Sequence, residues 1–257
     1  MNVSIIGTGN VANILGRKIV GAGHKVLEVV GRDVNRTIQL AELLNSIGIS
    51  NIQKTSRLVD LYIIAVSDSS IIEIAANLQV NNKLVVHTAA SVSKELLKNC
   101  SCNYGVIYPV QSLRKEVIHL PVIPVLVDGS SEEVKSNLFK FSSTWADNVS
   151  FANDDERLKL HIGAVVVNNF TNHLFTYTEE YCRNERLEFN ILYPLIKETI
   201  ERLKDNDPSS LQTGPAVRHD LETIKKHLSI LSKNPAMAKL YKFMSDDIIQ
   251  YYFSNKD

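Results

Sequence analysis

Val3-Ser4-Ile5-Ile6-Gly7-Thr8-Gly9-Asn10-Val11-Ala12 decides how this chain is read. A short apolar run, taken as a buried strand, enters a G-x-G-x-x-A loop, and a helical pattern follows over Asn10–Val20. Gly7 allows a tight turn, and Gly9 lets backbone approach a pyrophosphate with no side chain between. Ala12 is small enough for close helix–strand packing. The helix start offers unpaired N–H donors and partial positive charge, which suit a phosphate. Together with Thr8, Asn10 and Val11, these residues form the loop expected to hold a dinucleotide.

Outward from this loop, strand and helix patterns alternate. Strands are read at Lys25–Val30, Ile49–Gln53, Leu61–Val66, Lys83–His87 and Gly105–Tyr108, with helices at Thr37–Ser46, Ser70–Leu78 and Ser93–Lys98 between them. Leu61–Val66 is almost continuously apolar, as a strand covered on both faces should be. The alternation implies a Rossmann-type α/β domain, a doubly wound parallel sheet with its ligand beyond the carboxyl ends of the strands. Val122–Val127 and Val149–Phe151 read as further strands around a helix at Ser131–Phe141. After Asn153-Asp154-Asp155 only helical periodicity remains: Glu156–Cys182, Asn190–Leu203, Ala216–Leu231 and Ala236–Tyr252. The reading is therefore a nucleotide-binding domain over 1–152 and an all-α domain over 153–257.

Bulk properties narrow the function. Of the 257 residues 44% are hydrophobic and 22% charged, and 28 Lys and Arg balance 28 Asp and Glu. No global positive field invites nucleic acid, so any phosphate must be held by local groups. No apolar stretch has the roughly 20 residues that span a bilayer. The start of the chain shows no charged leader with an apolar core. The cysteines, Cys100, Cys102 and Cys182, form neither a disulfide framework nor a metal-ligand pattern. A reduced, cytoplasmic protein without a metal is expected.

The turn after the second strand, Gly31-Arg32-Asp33 with Arg36 a helical turn on, bears on the cofactor. An acidic residue here accepts ribose hydroxyls of NAD, whereas Arg accommodates the 2′-phosphate of NADP. Arg32 suits a phosphate through its planar fork, so NADP(H) is favoured. Asp33 either opposes the phosphate or caps the next helix. Val66-Ser67-Asp68 ends the central strand along the nucleotide, with Asp68 read chiefly as a helix cap. His87-Thr88 ends the neighbouring strand near the expected nicotinamide, His87 being either a proton donor or a structural histidine. Tyr108 and Gln111 are potential cleft-lining polar groups.

In the helical half, His161, Val165, Asn168 and Asn172 fall on one face at helical spacing, with Asn169 and His173 flanking it. Amides in an apolar helix must meet a ligand, a partner helix or each other. Thr213-Gly214-Pro215 reads as a capped helix start. Arg218 then sits within two turns of it, where the helix dipole disfavours a cation. Either Asp220 compensates Arg218, or Arg218 grips a substrate carboxylate.

The Gly7–Ala12 loop, Ala65-Val66-Ser67-Asp68, His87-Thr88-Ala89, Tyr108-Pro109-Val110-Gln111, Asn169-Phe170 and Thr213-Gly214-Pro215 with Arg218 and Asp220 occur in one order. In this the chain resembles a family of NADP oxidoreductases with a Rossmann-like N-terminal domain and a C-terminal helical domain of unknown function. It is more distantly similar to pyrroline-5-carboxylate reductase, deazaflavin-dependent NADP oxidoreductase and the β-hydroxyacid dehydrogenases. The resemblance implies a substrate cleft supplied by the helical domain, and often a dimer interface there. Three departures stand out. Ala90 occupies a position where the family commonly has Gly, and no Lys lies between His161 and His173, unlike in the β-hydroxyacid dehydrogenases. Tyr108 also stands where many members have His.

These residues lead to the expectation of an NADP(H)-dependent oxidoreductase that passes a hydride to or from a small carbonyl, hydroxy-acid or imine carbon in the cleft between the halves. His161 is the expected proton donor, Asn169 the orienter of the substrate heteroatom and Arg218 the carboxylate anchor, with Thr213 beside them. A homodimer through the helical domain is expected. The alternative is a non-catalytic NADP-binding sensor protein.

Overall fold

A computed structural model describes residues 1–253, which fall into two compact units, Met1–Asn168 and a second beginning at Asn169. In the first unit, eight strands lie in the order β3-β2-β1-β4-β5-β6-β7-β8. These are β1 (Asn2–Ile6), β2 (Lys25–Val30), β3 (Ile47–Ile49), β4 (Leu61–Ile64), β5 (Leu84–His87), β6 (Tyr104–Pro109), β7 (Pro124–Gly129) and β8 (Asn148–Phe151). The strand order reverses direction at β1 and β4, the crevice in which doubly wound folds hold a dinucleotide.

Alternation along the central strands feeds two cores. Val3, Ile5, Leu61 and Ile63 face one side, against α1 (Asn10–Gly21), α2 (Val34–Leu43) and α4 (Glu132–Ser142). Ile6, Tyr62, Ile64 and Val85 face the other, against Ile71 and Ala75 of α3 (Asp68–Asn77) and Leu97. Burial on both faces explains the unbroken apolar run in β4.

Several local expectations shift. The third strand precedes its expected position, and Ile52–Lys54 forms a 3-10 turn in which Asn51 Oδ1 accepts from Gln53 N at 2.9 Å. Lys94–Leu97 is likewise a 3-10 turn. β7 runs antiparallel to β6, and β8 is parallel to β7, so the sheet is parallel only through β6.

α5 (Asp154–Ala164) starts at a capping box: Asn153 Oδ1 accepts from Glu156 N at 3.0 Å, and Glu156 Oε2 accepts from Asn153 N at 2.8 Å. It runs into a π-helical stretch, Val165–Phe170, where the division between the units falls. The expected boundary near residue 153 instead coincides with the start of α5.

In the second unit, α6 (Thr171–Asn184), α7 (Tyr193–Arg202), α8 (Leu221–Ile230) and α9 (Pro235–Phe253) follow, with α9 packed on α6 and α8. His227 Nδ1 and Tyr241 Oη, 2.7 Å apart, tie α8 to α9. The third helix of this region starts at Leu221, five residues later than expected, because Asp220 is its N-cap: its carboxylate accepts from Thr223 N at 3.0 Å and from Thr223 Oγ1 at 2.7 Å. Among the described residues no helix is long and apolar enough to cross a membrane, and no cluster of His, Cys, Asp or Glu could hold a metal.

Candidate dinucleotide and proton-transfer site

The two glycines of the loop do different work. Gly7 has φ +127°, and a Cβ there would lie 2.1 Å from the Ala65 carbonyl oxygen, so β1 and β4 could not run side by side past a larger residue. Its N–H donates to Val30 O at 2.8 Å, tying the turn to β2. Gly9, the N-cap of α1, has φ −82° and ψ −171°, which any residue adopts, and a Cβ there would meet nothing within 4 Å. Nothing inside the unit requires glycine at position 9. The free space lies over a helix start with no side-chain cap and no acidic residue in its first turn, where backbone donors await an anion.

Beside this loop a cleft of about 580 Å³ brings together Gly7, Thr8, Arg32, Arg36 and Val66 with Asn51, Glu73 and Asn77. Both arginines are mostly exposed. Arg36 Nε lies 3.4 Å from Asp33 Oδ2, and Arg32 Nη1 is 3.9 Å from Glu73 Oε2, a contact too long to hold the guanidinium tightly. Asp33 is the N-cap of α2, accepting from Arg36 N at 3.1 Å. Its carboxylate is thus engaged with the helix start and Arg36, which resolves the open reading of that turn in favour of capping. Anion-seeking backbone at Gly9 and two mostly exposed guanidinium groups, Arg32 after β2 and Arg36 in α2, fit a phosphorylated dinucleotide.

The remaining expected cofactor residues lie outside this cleft. Asn10 is exposed, its Oδ1 accepting from Lys115 N at 3.3 Å, and Val11 packs against the core. Ser67, not Asp68, holds the N-cap position of α3, and its Oγ is 2.9 Å from Ser70 Oγ. Asp68 stands in the first turn and accepts from the Ser91 hydroxyl. This corrects its reading as a cap: the chain turns into the helix one residue earlier.

At the end of β5, His87 is completely buried. Its Nδ1 accepts from Ala89 N at 3.2 Å, and burial, reinforced by the Arg157 charge, pushes its pKa down to about 4. Burial and the lowered pKa both disfavour a charged His87 at neutral pH, in keeping with the structural alternative for this residue. Thr88 is also buried, with its N–H donating to Ile64 O at 3.2 Å.

Arg157, on α5, is the largest fully buried side chain and escaped the reading of the sequence. Its Nε donates to Ala90 O at 3.1 Å, and its Nη2 to Val92 O at 2.6 Å and Asp154 Oδ1 at 2.8 Å. The guanidinium therefore fastens the turn after β5, including Ala90. The signal was present: Arg157 is a cation in the first turns of a helix behind three acidic residues, the same anomaly noticed at Arg218.

Tyr108, at the end of β6, has its Oη 2.9 Å from His161 Nδ1, with the two rings edge to face at 6.0 Å between centroids. Burial above all raises the phenol's pKa; Arg157 pulls it down and Asp68 raises it.

In the second unit Arg218 lies in the turn before α8, exposed and without an ion pair within 4.0 Å among the described residues. Thr213 is exposed too, its carbonyl accepting from Gln212 Nε2 at 3.0 Å. Arg218 precedes α8, so it does not sit in the unfavourable field of a helix start, and Asp220 rather than Thr213 caps that helix. The Arg218 charge helps hold the Asp220 carboxyl below its usual range, although the hydrogen bonds from Thr223 dominate. Asn169 is exposed within the π-helical stretch. There i→i+5 bonding replaces the 3.6-residue period on which the shared face of His161, Val165, Asn168 and Asn172 was read.

Comparison with known proteins agrees with this architecture. Residues 2–91 match the family described as NADP oxidoreductase coenzyme F420-dependent, and residues 123–248 a domain of unknown function, DUF2520. No match is found among curated proteins. A Bacteroides fragilis protein assigned as an NADP oxidoreductase is 30% identical, with a TM-score of 0.89 over 97% of this chain and 98% of that one. The 1-pyrroline-5-carboxylate reductase of Streptococcus pyogenes shares the fold at 14% identity and TM-score 0.65, over 97% and 98% of the two chains. So does the reductive aminase of Aspergillus terreus, solved with NADPH and ethyl-5-oxohexanoate, at 12% identity and TM-score 0.71 over 99% and 94%.

Proposed function

The chain belongs to the NADP oxidoreductases, and on that premise we propose that it is a reductase of small carbonyl or imine compounds. Its cofactor is NADP(H). The observation that carries the reading is the pairing of an open, uncapped helix start at Gly9 with Arg32 and Arg36 lining the adjoining cleft. When bound, the dinucleotide supplies the hydride. The chain's residues do the rest: backbone donors at Gly9 hold the pyrophosphate, and Arg32 and Arg36 take the 2′-phosphate.

Asn169 orients the substrate's oxygen or nitrogen, Arg218 holds a carboxylate, and Thr213 lies close to Arg218 in sequence for a further polar contact. Protonation falls to the pair that contains His161. The fold's likeness to proteins named as reductases of cyclic imines and as aminases supports a C=O or C=N acceptor. Exposed Ile191, Leu195 and Phe243 on the helical unit favour a homodimer through that unit.

The test is consumption of NADPH against a panel of 2-oxo acids, aldehydes with amines, and cyclic imines. Turnover of any of these supports the reading, and tight NADPH binding with no turnover on the panel replaces it with a non-catalytic binding protein. Arg32→Ala should weaken NADPH by about tenfold or more, the worth of a charge-assisted hydrogen bond, while leaving NADH affinity nearly unchanged. An equal effect on both would remove Arg32 from the 2′-phosphate.

A further inference from the structure

We infer that Tyr108 is the acid that protonates the substrate and that His161 is the proton reserve behind it. The inference rests on the reductase reading above and adds the route of the proton.

Three observations carry it. Tyr108 sits at the carboxyl end of β6, beside the end of β5, on the rim where a doubly wound sheet presents its ligand. Its hydroxyl meets His161 Nδ1 at 2.9 Å, within the first compact unit, so the pair is built by β6 and α5 alone. Tyr108 and His161 are both partly exposed, so solvent reaches the pair. The other imidazole on this rim, His87, is enclosed and neutral, and cannot compete. Burial holds the phenol protonated, as a donor must be.

The balance is simple. As the carbonyl carbon accepts a hydride, the carbonyl π-electrons move onto oxygen, and that oxygen takes the proton of Tyr108 Oη. As Nδ1–H of His161 restores the phenol, Nε2 takes up one proton from bulk solvent, so the imidazole ends neutral with its proton on Nε2. Tyr108 touches the reacting atom, so it is the catalytic residue. His161 acts through it, as a positioning residue.

The test has two arms. First, long-range proton–nitrogen spectra of the ligand-free protein read the His161 ring in the wild type and in Tyr108→Phe. The pair predicts a shift of the Nδ1 resonance on losing the phenol, and an unchanged imidazole overturns it. Second, on a ketone that the wild type reduces, Tyr108→Phe should lose about a hundredfold or more in kcat, within the range for general acid catalysis. KM and NADPH affinity should hold within a few-fold. His161→Gln should lose less in kcat, again at constant KM. On a cyclic imine that arrives already protonated, both variants should approach wild-type rates.

Wild-type kcat on the ketone in Tyr108→Phe overturns the relay and leaves the reductase reading standing. Absence of wild-type turnover on every carbonyl and imine overturns that reading, and the catalytic role of the pair with it.

Discussion

At the residue scale, the two loop glycines separate what the fold needs from what the ligand needs. Gly7 occupies a left-handed conformation against the Ala65 carbonyl. Gly7→Ala should therefore cost about 2 kcal/mol or more, read as a lower urea midpoint. Gly9→Ala should leave that midpoint nearly unchanged and weaken NADPH by about tenfold or more, roughly 1.4 kcal/mol, because its methyl occupies space that only a ligand uses. A Gly9→Ala protein that binds NADPH normally would separate the loop from the pyrophosphate.

His87 supplies a pH signature. Its pKa is about 4 in the fold against an ordinary 6.5, so between these values the unfolded chain binds the extra proton. Stability is complete above the higher value and falls as pH drops towards 4, by up to about 3 kcal/mol for this group. His87→Asn should flatten that slope in denaturation curves collected across the interval. An unchanged slope would mean that His87 is not the buried neutral group.

At the element scale, the turn after β5 is held from α5 rather than from within. Arg157 satisfies the Ala90 and Val92 carbonyls and is itself paired with Asp154. Arg157→Met should destabilise the unit by about 3 kcal/mol, since carbonyls and a carboxylate lose their partner in a buried setting. Arg157→Lys should recover only part of this, because an ammonium lacks the planar fork. Full recovery would argue for charge alone.

Local signals made most elements legible in the sequence. Gly7–Ala12 after an apolar strand and the apolar run at Leu61–Val66 each act over a few neighbours. What was not legible depends on partners distant in sequence. The antiparallel direction of β7 is set by the path of the chain, not by its composition. The π-helical stretch leaves no mark within a single turn of apolar spacing. Asp220 outcompeted Thr213 as a cap because its carboxylate reaches Thr223, two bonds that only the folded turn reveals.

At the scale of the whole molecule, the two compact units carry different candidate residues. The cleft beside Gly7 and the Tyr108–His161 pair belong to the first compact unit, which therefore carries both the groups proposed to bind phosphate and the proposed acid. Asn169, Thr213 and Arg218 belong to the second, and they are the residues through which substrate choice is proposed to act. This division explains why the cofactor could be argued from sequence much further than the substrate. A phosphate loop obeys rules shared by many folds, whereas a substrate pocket is assembled from residues with no fixed spacing.

Isotope tracing follows the proposed hydride transfer itself. The protein is incubated with NADPH carrying deuterium at C4 of the nicotinamide and the panel of carbonyl and imine acceptors, and the products are weighed by mass spectrometry. The account predicts a reduced product one mass unit heavier (about 1 Da), with the deuterium on the former carbonyl or imine carbon, because the cofactor carries the hydride and the protein positions its acceptor. NADPH bound tightly, with no deuterated product from any acceptor, would contradict it.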